Sequence, residues 1–159
     1  MRIAIGCDDA GEPLLREVEK FLKQHPGIEV VDFSAPTSDH TEYYPDVAER
    51  VAVAVADQGF ERGILVCGTG IGMAITANKV PGIRAALAHD TYSAERARKS
   101  NNAQVLTMGS RVIGTELGKA IVDIWLKSEF DEQSSSAPKV QRMIDIDHKY
   151  LHKTEDETG

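Results

Sequence analysis

The sequence of 159 residues predicts an α/β protein: three layers, α/β/α, with a five-stranded parallel sheet and an extra C-terminal helix. Two observations lead to this prediction. Short, nearly continuous apolar runs alternate with segments of helical spacing, which is typical of a parallel sheet covered by helices on both faces. The chain is also long enough for one domain with a real core, and it shows no internal repeat.

The predicted elements alternate from the first residues onward. The first helix carries Leu15, Val18 and Leu22 on one face, and Pro45 stands in the first turn of the second helix, where proline is tolerated. Strands are predicted at Arg2 to Cys7, Ile28 to Phe33, Gly63 to Cys67, Arg84 to Ala88 and Gln104 to Met108. Helices are predicted at Glu12 to Gln24, Tyr44 to Asp57, Gly70 to Lys79, Tyr92 to Asn101 and Thr115 to Lys127.

The C-terminal part of the chain has a different composition. The polar, serine-rich stretch from Asp131 to Pro138 predicts a linker, followed by a last helix from Lys139 to about Tyr150. A frayed tail is expected from His152 to Gly159. We therefore expect residues 1–130 to form the main domain and residues 131–159 to be an extension of that same domain.

Composition excludes several classes of protein. The net charge of −7, from 25 acidic and 18 basic residues, argues against a nucleic-acid binder, although a local cluster of donors can still hold a phosphate. Apolar runs such as Val51 to Ala56 are too short to span a membrane, and the first residues do not resemble a secretory signal. Cys7 and Cys67 cannot form a disulfide scaffold, so we expect a cytoplasmic protein.

Polar side chains follow the predicted strands at their carboxyl ends, the edge where open α/β sheets bind ligands. The groups at this edge are Cys7-Asp8-Asp9, Ser34, Cys67-Gly68-Thr69-Gly70, His89-Asp90 and Gly109-Ser110-Arg111. His40 and His89 lie in these loops and His25, His148 and His152 on the predicted surface, but none has metal-ligand spacing. We therefore predict no metal site.

The loop after the third strand is the most informative stretch: Cys67, Gly68, Thr69, Gly70, Ile71 and Gly72. Alternating glycines allow a tight turn whose N–H groups face one point, and the following helix adds its own free N–H groups. Such a loop suits a phosphate or a developing oxyanion. A helix N-terminus also favours the thiolate form of Cys67, which can then act as a base on carbon. A merely structural, buried cysteine is the alternative.

Other residues at this edge have two interpretations. Asp8 and Asp9 can cap the next helix or bind sugar hydroxyls, and we favour hydroxyl binding for Asp8. Arg111 can form a surface ion pair or grip a phosphate. The basic run from Arg96 to Lys99 is most simply a solvated helix face.

A dinucleotide site is the competing interpretation of the loop. Gly68 and Gly70 are followed by Asp90 at about the expected ~20 positions. However, Met73 stands where the third glycine of that motif belongs, and the loop follows the third strand instead of the first. We therefore disfavour a dinucleotide-binding oxidoreductase.

Several segments together resemble the ribose-5-phosphate isomerase B family, which includes the galactose-6-phosphate isomerase subunits. The resemblance runs from Arg2 to about Lys127. It is carried by Ile5 to Asp8, Tyr44-Pro45, Cys67 to Gly72, Ala77-Asn78-Lys79, Gly82 to Ala85, Asn101 and Gly109 to Gly114.

This resemblance implies a homodimeric, Rossmann-like enzyme without metal or organic cofactor, whose sites are built from both subunits. It would interconvert a phosphorylated aldose and ketose, with Cys67 moving the proton from C2 to C1 and Thr69 assisting transfer between the oxygens. The loop N–H groups and Asn101 would stabilise the enediolate. The substrate-binding residues so implied are Asp8, Asp9, Tyr44, Gly68, Gly70, Ile71, Gly72, Ser100, Asn101, Arg111 and Lys139.

Three departures from the family pattern bear on the substrate. Asp9 and Ser100 replace histidines, the second of which is associated with opening the sugar ring, and a C-terminal arginine pair falls on Ser135 and Lys139. Ribose 5-phosphate closes a ring through its C4 hydroxyl, whereas a tetrose 4-phosphate has that oxygen esterified and cannot. The missing histidine therefore favours the pair erythrose 4-phosphate and erythrulose 4-phosphate, whereas the family resemblance by itself implies ribose 5-phosphate. We weigh the two about equally, with ribose 5-phosphate as the main expectation and the tetrose pair as the alternative. A non-enzymatic sugar-phosphate binder on the same fold is a further alternative.

Overall fold

The computed structural model describes the backbone of residues 1–156 and the side chains of residues 1–151. Five strands alternate with five helices, and a sixth helix follows. The strands are β1 (Arg2–Cys7), β2 (Glu29–Asp32), β3 (Arg62–Cys67), β4 (Ala85–Leu87) and β5 (Val105–Gly109). The helices are α1 (Glu12–Lys23), α2 (Tyr44–Asp57), α3 (Ile71–Ala77), α4 (Thr91–Lys99), α5 (Thr115–Lys127) and α6 (Ala137–Asp156).

The strands form one parallel sheet in the order β2-β1-β3-β5-β4, as the alternating pattern predicts. The chain moves outward from β1 to β2 and then returns across β1 to β3. The direction of winding therefore reverses between β1 and β3, which is where open α/β sheets form their ligand crevice. In the register, Cys7 lies opposite Val66, and Cys67 lies opposite Gly109.

Helices cover both faces of the sheet and create two separate cores. One core contains apolar side chains of α1, α4 and α5, with fully buried Trp125 as its largest member. The other core contains apolar side chains of α2 and α3, among them the fully buried Met73 of α3. Because side chains alternate along a strand, Cys7 belongs to the first core and Cys67 to the second. The two thiols therefore face opposite sides of the sheet.

Two arginines are buried where α5 ends. Arg62 donates to the carbonyl oxygens of Trp125 at 2.7 Å and Ser128 at 3.0 Å, and to the carboxylate of Glu129 at 2.6 Å. Arg98 donates to the Ser128 oxygen at 3.3 Å. The last carbonyls of a helix lack helical partners and carry partial negative charge, so guanidinium groups satisfy them well. The expected solvated face around Arg98 is therefore wrong, since this side chain is buried.

The bounds of α3 and α6 differ from the predicted ones. Helix α3 stops at Ala77 because the Asn78 side chain bonds both the Ala74 oxygen and the backbone of Ala85. Helix α6 begins at Ala137, within the expected linker, since Pro138 is tolerated in a first turn. It continues past Tyr150 to Asp156, into the expected frayed tail, whose residues 157–159 lie outside the described part of the chain.

No helix within the described residues is long and apolar enough to cross a membrane.

Candidate active site

An open cleft of about 940 Å³ lies at the carboxyl end of β1, next to the segment that follows β2. The residues of the glycine loop, Cys67 to Gly72, are not among those that line it. The first strand and the residues after it form its floor, and the segment between β2 and α2 forms one wall. The lining residues are Cys7, Asp8, Asp9, Ala10, Ser34, Pro36, Glu42, Tyr43, Tyr44, Pro45, Val47 and Arg111. Of the residues predicted to bind substrate, Asp8, Asp9, Tyr44 and Arg111 therefore lie together here.

The glycine loop after β3 turns back on the thiol that precedes it. Gly70 has φ +79°, in the left-handed region that glycine adopts without strain. This turn aims the Gly70 N–H at the Cys67 sulfur, 3.0 Å away. A donor held at that distance fixes the position of the sulfur. The Cys67 side chain is only 5 % exposed, so little water competes for this hydrogen bond.

Contacts from β5 hold the loop in this shape. The buried Thr107 hydroxyl donates to the Gly70 carbonyl at 2.9 Å, and the Ser110 N–H donates to the Cys67 carbonyl at 2.9 Å. A Cβ at Gly109 would lie 2.6 Å from the Thr69 backbone, so this close approach needs glycine. The loop is therefore clamped against the neighbouring strand before any ligand arrives.

The sequence predicts that the N–H groups of the glycine loop face one point, where a ligand would bind. In the structure two of them are used within the loop itself. The Gly70 N–H is used on Cys67, and the Ile71 N–H donates to the Thr69 hydroxyl at 3.3 Å. Thr69 itself is exposed, and Ile71 is 54 % exposed at the start of α3. One N–H of the loop is therefore bonded to the Cys67 sulfur, and the Thr69 side chain next to it faces solvent.

The acidic residues after β1 differ in their contacts. One carboxylate oxygen of Asp8 accepts the Gly11 N–H at 2.9 Å, which closes the turn before α1. Asp9 is exposed and lines the cleft. A Cβ at Gly11 would lie 2.2 Å from the Val66 carbonyl oxygen, so the turn packs directly against β3. Asp8 therefore has a structural role in the turn as well as a place at the cleft.

Arg111 is a free cation beside the glycine loop. Its guanidinium lies against Gly68, where an added Cβ would be 3.3 Å from Nη1. Within residues 1–151 this guanidinium makes no ion pair or hydrogen bond. Every other ionisable side chain that lines the cleft is acidic or neutral. An unpaired arginine at a cleft edge is well suited to a phosphate.

Tyr44 connects the cleft wall to the start of α3. It is the first residue of α2, and its ring covers Gly72 so closely that a Cβ there would lie 2.3 to 2.5 Å from the ring atoms. Gly72 is therefore required for this contact. Tyr44 stays 41 % exposed and can contact a ligand over the loop.

Ser100, Asn101 and Lys139 do not join this cleft. Helix α4 starts after β4 and ends before β5, so its last residues lie at the amino edge of the sheet, opposite the thiol. There the Asn101 amide donates to the Arg96 carbonyl at 3.1 Å. Neighbours of Lys139 on α6 line a depression together with Asn102. These three predicted residues therefore share the far edge, and one chain does not combine them with Cys67.

A hydrogen-bonded chain links the cleft floor to α1. The Cys7 N–H donates to the Ser34 hydroxyl at 2.9 Å, which donates to Asp32 at 2.6 Å, and Asp32 binds Arg16 at 2.7 Å. Burial raises the pKa of the Cys7 thiol above its ordinary value, against an opposing hydrogen bond from Ser34. Cys7 is therefore poorly suited to be the base.

Sequence reasoning missed Glu42 and Tyr43, which line the wall between β2 and α2. Nothing local distinguishes them, because they belong to an irregular polar segment. The hydrogen-bond role of His89 was also missed. Its Nε2 accepts the Gly109 N–H at 2.9 Å, so the ring is neutral with its proton on Nδ1. Burial lowers the pKa of His89, and Asp90 opposes that shift.

A parallel α/β sheet with a buried thiol and an unpaired guanidinium near its switch point has the features of an enzyme site for a small anionic molecule. Comparison with known proteins specifies the class further. The family model described as Ribose/Galactose Isomerase matches residues 3–143. The chain belongs to this family.

Individual relatives are similar over nearly their whole length. The chain is 52% identical over 153 residues to a D-erythrulose-4-phosphate isomerase of Pectobacterium atrosepticum, covering 96% of this chain and 99% of that protein. It is also 52% identical over 149 residues to a ribose-5-P isomerase B of Listeria innocua, covering 94% and 99%. The structure of Clostridium thermocellum ribose-5-phosphate isomerase B matches with a TM-score of 0.85 at 45% identity, covering 94% and 99%.

We predict that His89 makes stability depend on pH. Its folded pKa lies below the ordinary value of 6.5, so its contribution is complete above that pH and is lost as the pH falls through the folded value. His89→Gln keeps an acceptor for the Gly109 N–H but does not titrate. In urea unfolding at about pH 8 and about pH 5, the wild type should lose more stability than His89→Gln. Equal losses would contradict the assignment.

Proposed function

We propose that the chain interconverts a phosphorylated aldose and ketose, with Cys67 as the base that moves the proton between the two carbons. The observation that carries this proposal is the Gly70 N–H held 3.0 Å from the Cys67 sulfur at the switch point of the sheet. Abstraction of a proton from carbon needs a base held in one position, and this hydrogen bond fixes the sulfur of Cys67. Membership of the Ribose/Galactose Isomerase family supports the same chemistry.

In the proposed reaction one proton moves from C2 to C1 and another from O2 to O1. The substrate loses no electrons. The Cys67 thiolate takes the proton from C2 of the open-chain aldose, and the electron pair forms an enediolate across C1 and C2. The proton on O2 passes to O1 with the help of the exposed Thr69 hydroxyl. The Cys67 thiol then returns a proton to C1, which gives the ketose. No step calls for a metal or an organic cofactor.

We assign the substrate phosphate to the side of the cleft that carries Arg111. Its guanidinium is unpaired within the described residues and lies against Gly68, one residue from the base. A planar guanidinium can bind two phosphate oxygens at once. Asp8 faces the same cleft and has a second carboxylate oxygen available for sugar hydroxyls.

We further propose a homodimer in which each site takes residues from both chains. Asn101 and Lys139 lie at the opposite edge of the sheet from Cys67, so a second copy must supply them if they act there. Apolar side chains are exposed close to the loop, with Ile75 of α3 at 57 % and Leu87 of β4 at 37 %. An apolar surface beside an edge strand is suited to burial against a second copy.

The proposed substrate is ribose 5-phosphate, and the specific alternative is a tetrose 4-phosphate. The alternative rests on Ser100, which stands where a ring-opening histidine is expected from the family resemblance. It also rests on the relatives, since proteins named for erythrulose 4-phosphate and for ribose 5-phosphate are each 52% identical to this chain. A tetrose 4-phosphate needs no ring opening, because its C4 oxygen is esterified.

The choice of substrate is tested by proton NMR in heavy water, with ribose 5-phosphate and erythrose 4-phosphate in separate tubes. We expect ketose formation from ribose 5-phosphate, with deuterium entering at C1 because the base exchanges its proton with solvent. Efficient conversion of only the tetrose would select the alternative. Conversion of neither sugar would contradict an aldose–ketose isomerase with these substrates.

The role of Cys67 is tested by Cys67→Ser, which keeps the size of the side chain but replaces the thiol with a far weaker acid. We expect turnover to fall by roughly 10²- to 10⁴-fold, the usual contribution of acid–base catalysis, while phosphate binding persists. Cys7→Ala is the matched control and should stay within a few-fold of wild type. A normal rate in Cys67→Ser, or an equal loss in both variants, would refute the assignment.

Shared sites predict complementation between two inactive variants. Cys67→Ala and Asn101→Ala should each be inactive alone. Co-expressed chains form hybrid dimers in which one site contains both native residues, so part of the activity should return. If native mass spectrometry detects the hybrids and no activity returns, the two residues do not serve one site.

A further inference from the structure

The wall of the cleft between β2 and α2 has no regular secondary structure of its own. Residues 33–43 connect the two elements and contribute Ser34, Pro36, Glu42 and Tyr43 to the cleft lining. An irregular segment of this length needs contacts from elsewhere to keep one shape. Those contacts converge on one side chain of α2.

Arg50 of α2 binds both ends of this segment. Its Nε and Nη2 donate to the Phe33 carbonyl at 3.1 and 2.9 Å, and Nη2 also donates to the Ala35 carbonyl at 3.1 Å. Its Nη1 donates to both carboxylate oxygens of Glu42, at 2.7 and 2.9 Å. The Thr37 N–H adds a bond to Glu42 at 3.1 Å. One guanidinium therefore closes the segment into a loop.

The Arg50–Glu42 pair is largely shielded from water, with side-chain exposures of 18% and 11%. The hydrogen bonds from Arg50 hold the pKa of Glu42 below its usual range, so the carboxylate stays charged. Salt screens a shielded ion pair less than an exposed one. Loss of one partner leaves the charge of the other uncompensated. The state of Arg50 therefore decides what charge the wall presents to the cleft.

The side chains that line the cleft carry more negative than positive charge. Three carboxylates line it, those of Asp8, Asp9 and Glu42, against the single guanidinium of Arg111. A sugar phosphate brings further negative charge to the same space. Without Arg50, a third uncompensated carboxylate would face the substrate across the cleft and would weaken binding through repulsion.

We infer that Arg50 is a positioning residue for substrate binding, which holds the loop wall in place and cancels the charge of Glu42 toward an anionic sugar. This inference rests on the proposed function, because it takes the bound phosphate as the group that Glu42 would repel. Arg50 acts through Glu42 and the loop and does not contact the reacting carbons. Its loss should therefore act on KM more than on kcat.

The test compares four variants with wild type: Arg50→Gln, Arg50→Lys, Glu42→Gln and the double variant Arg50→Gln/Glu42→Gln. We expect Arg50→Gln to raise KM about tenfold, with kcat changed far less. The rise should shrink in high salt, because screening weakens the repulsion. The KM of the double variant should fall part of the way back toward the wild-type value. The KM of Arg50→Lys should also lie nearer to wild type, because Glu42 stays paired.

The matched control is Lys20→Gln, which removes the cation of an exposed ion pair with Glu17 on α1, away from the cleft. Its KM should equal that of wild type. An unchanged KM in Arg50→Gln would overturn the inference. A KM rise that neither salt nor Glu42→Gln relieves would also overturn it, since only structural damage would then remain.

A second measurement separates this inference from the proposed function. Calorimetry with inorganic phosphate reports anion binding without turnover, so the variants can be ranked even if neither sugar is converted. We expect weaker phosphate binding in Arg50→Gln and partial recovery in the double variant. Equal phosphate binding in all folded variants, with folding checked by circular dichroism, would reject the role of Arg50 whatever the activity is.

Discussion

The hydrogen bond from the Gly70 N–H to the Cys67 sulfur depends on a backbone turn that a side chain would not permit. With φ +79°, Gly70 occupies the left-handed region, and a Cβ there would lie 2.8 Å from the Met108 backbone. The turn therefore needs glycine for two independent reasons. Other contacts hold the loop in this shape: the Thr107 hydroxyl of β5 donates to the Gly70 carbonyl, and the Arg111 side chain packs on Gly68.

The sequence predicts this part of the site well because its signals are local. A cysteine, three glycines and the start of a helix lie within six consecutive residues, and the alternation of strands and helices places them at the ligand edge. The bounds of α2 and α5 were predicted without error for the same reason. Local signals do not predict a helix end that depends on contacts between distant segments. Helix α3 is an example, because it ends where the Asn78 side chain bonds the backbone of Ala85 in β4.

Distant contacts also explain what sequence reasoning missed. Glu42 and Arg50 are eight residues apart, with the start of a helix between them, and no periodic pattern joins them. Arg98 belongs to a basic run that resembles a solvated helix face, yet it is buried because the Ser128 carbonyl, thirty positions away at the end of α5, accepts from its guanidinium. Charged residues enter the interior only where such partners exist, and a single sequence does not show the partners.

The division of the predicted residues between two edges suggests why the substrate can change while the fold does not. Gly70 and Gly109 are fixed by close packing between the glycine loop and β5, so a side chain at either position would move the backbone. Ser100 is different, because its hydrogen bond at the end of α4 is made by the backbone N–H, which every residue except proline provides. A serine can therefore replace a histidine there without cost to the helix. Under the proposed shared site, the proton-transfer chemistry belongs to one edge and the choice of sugar to the other.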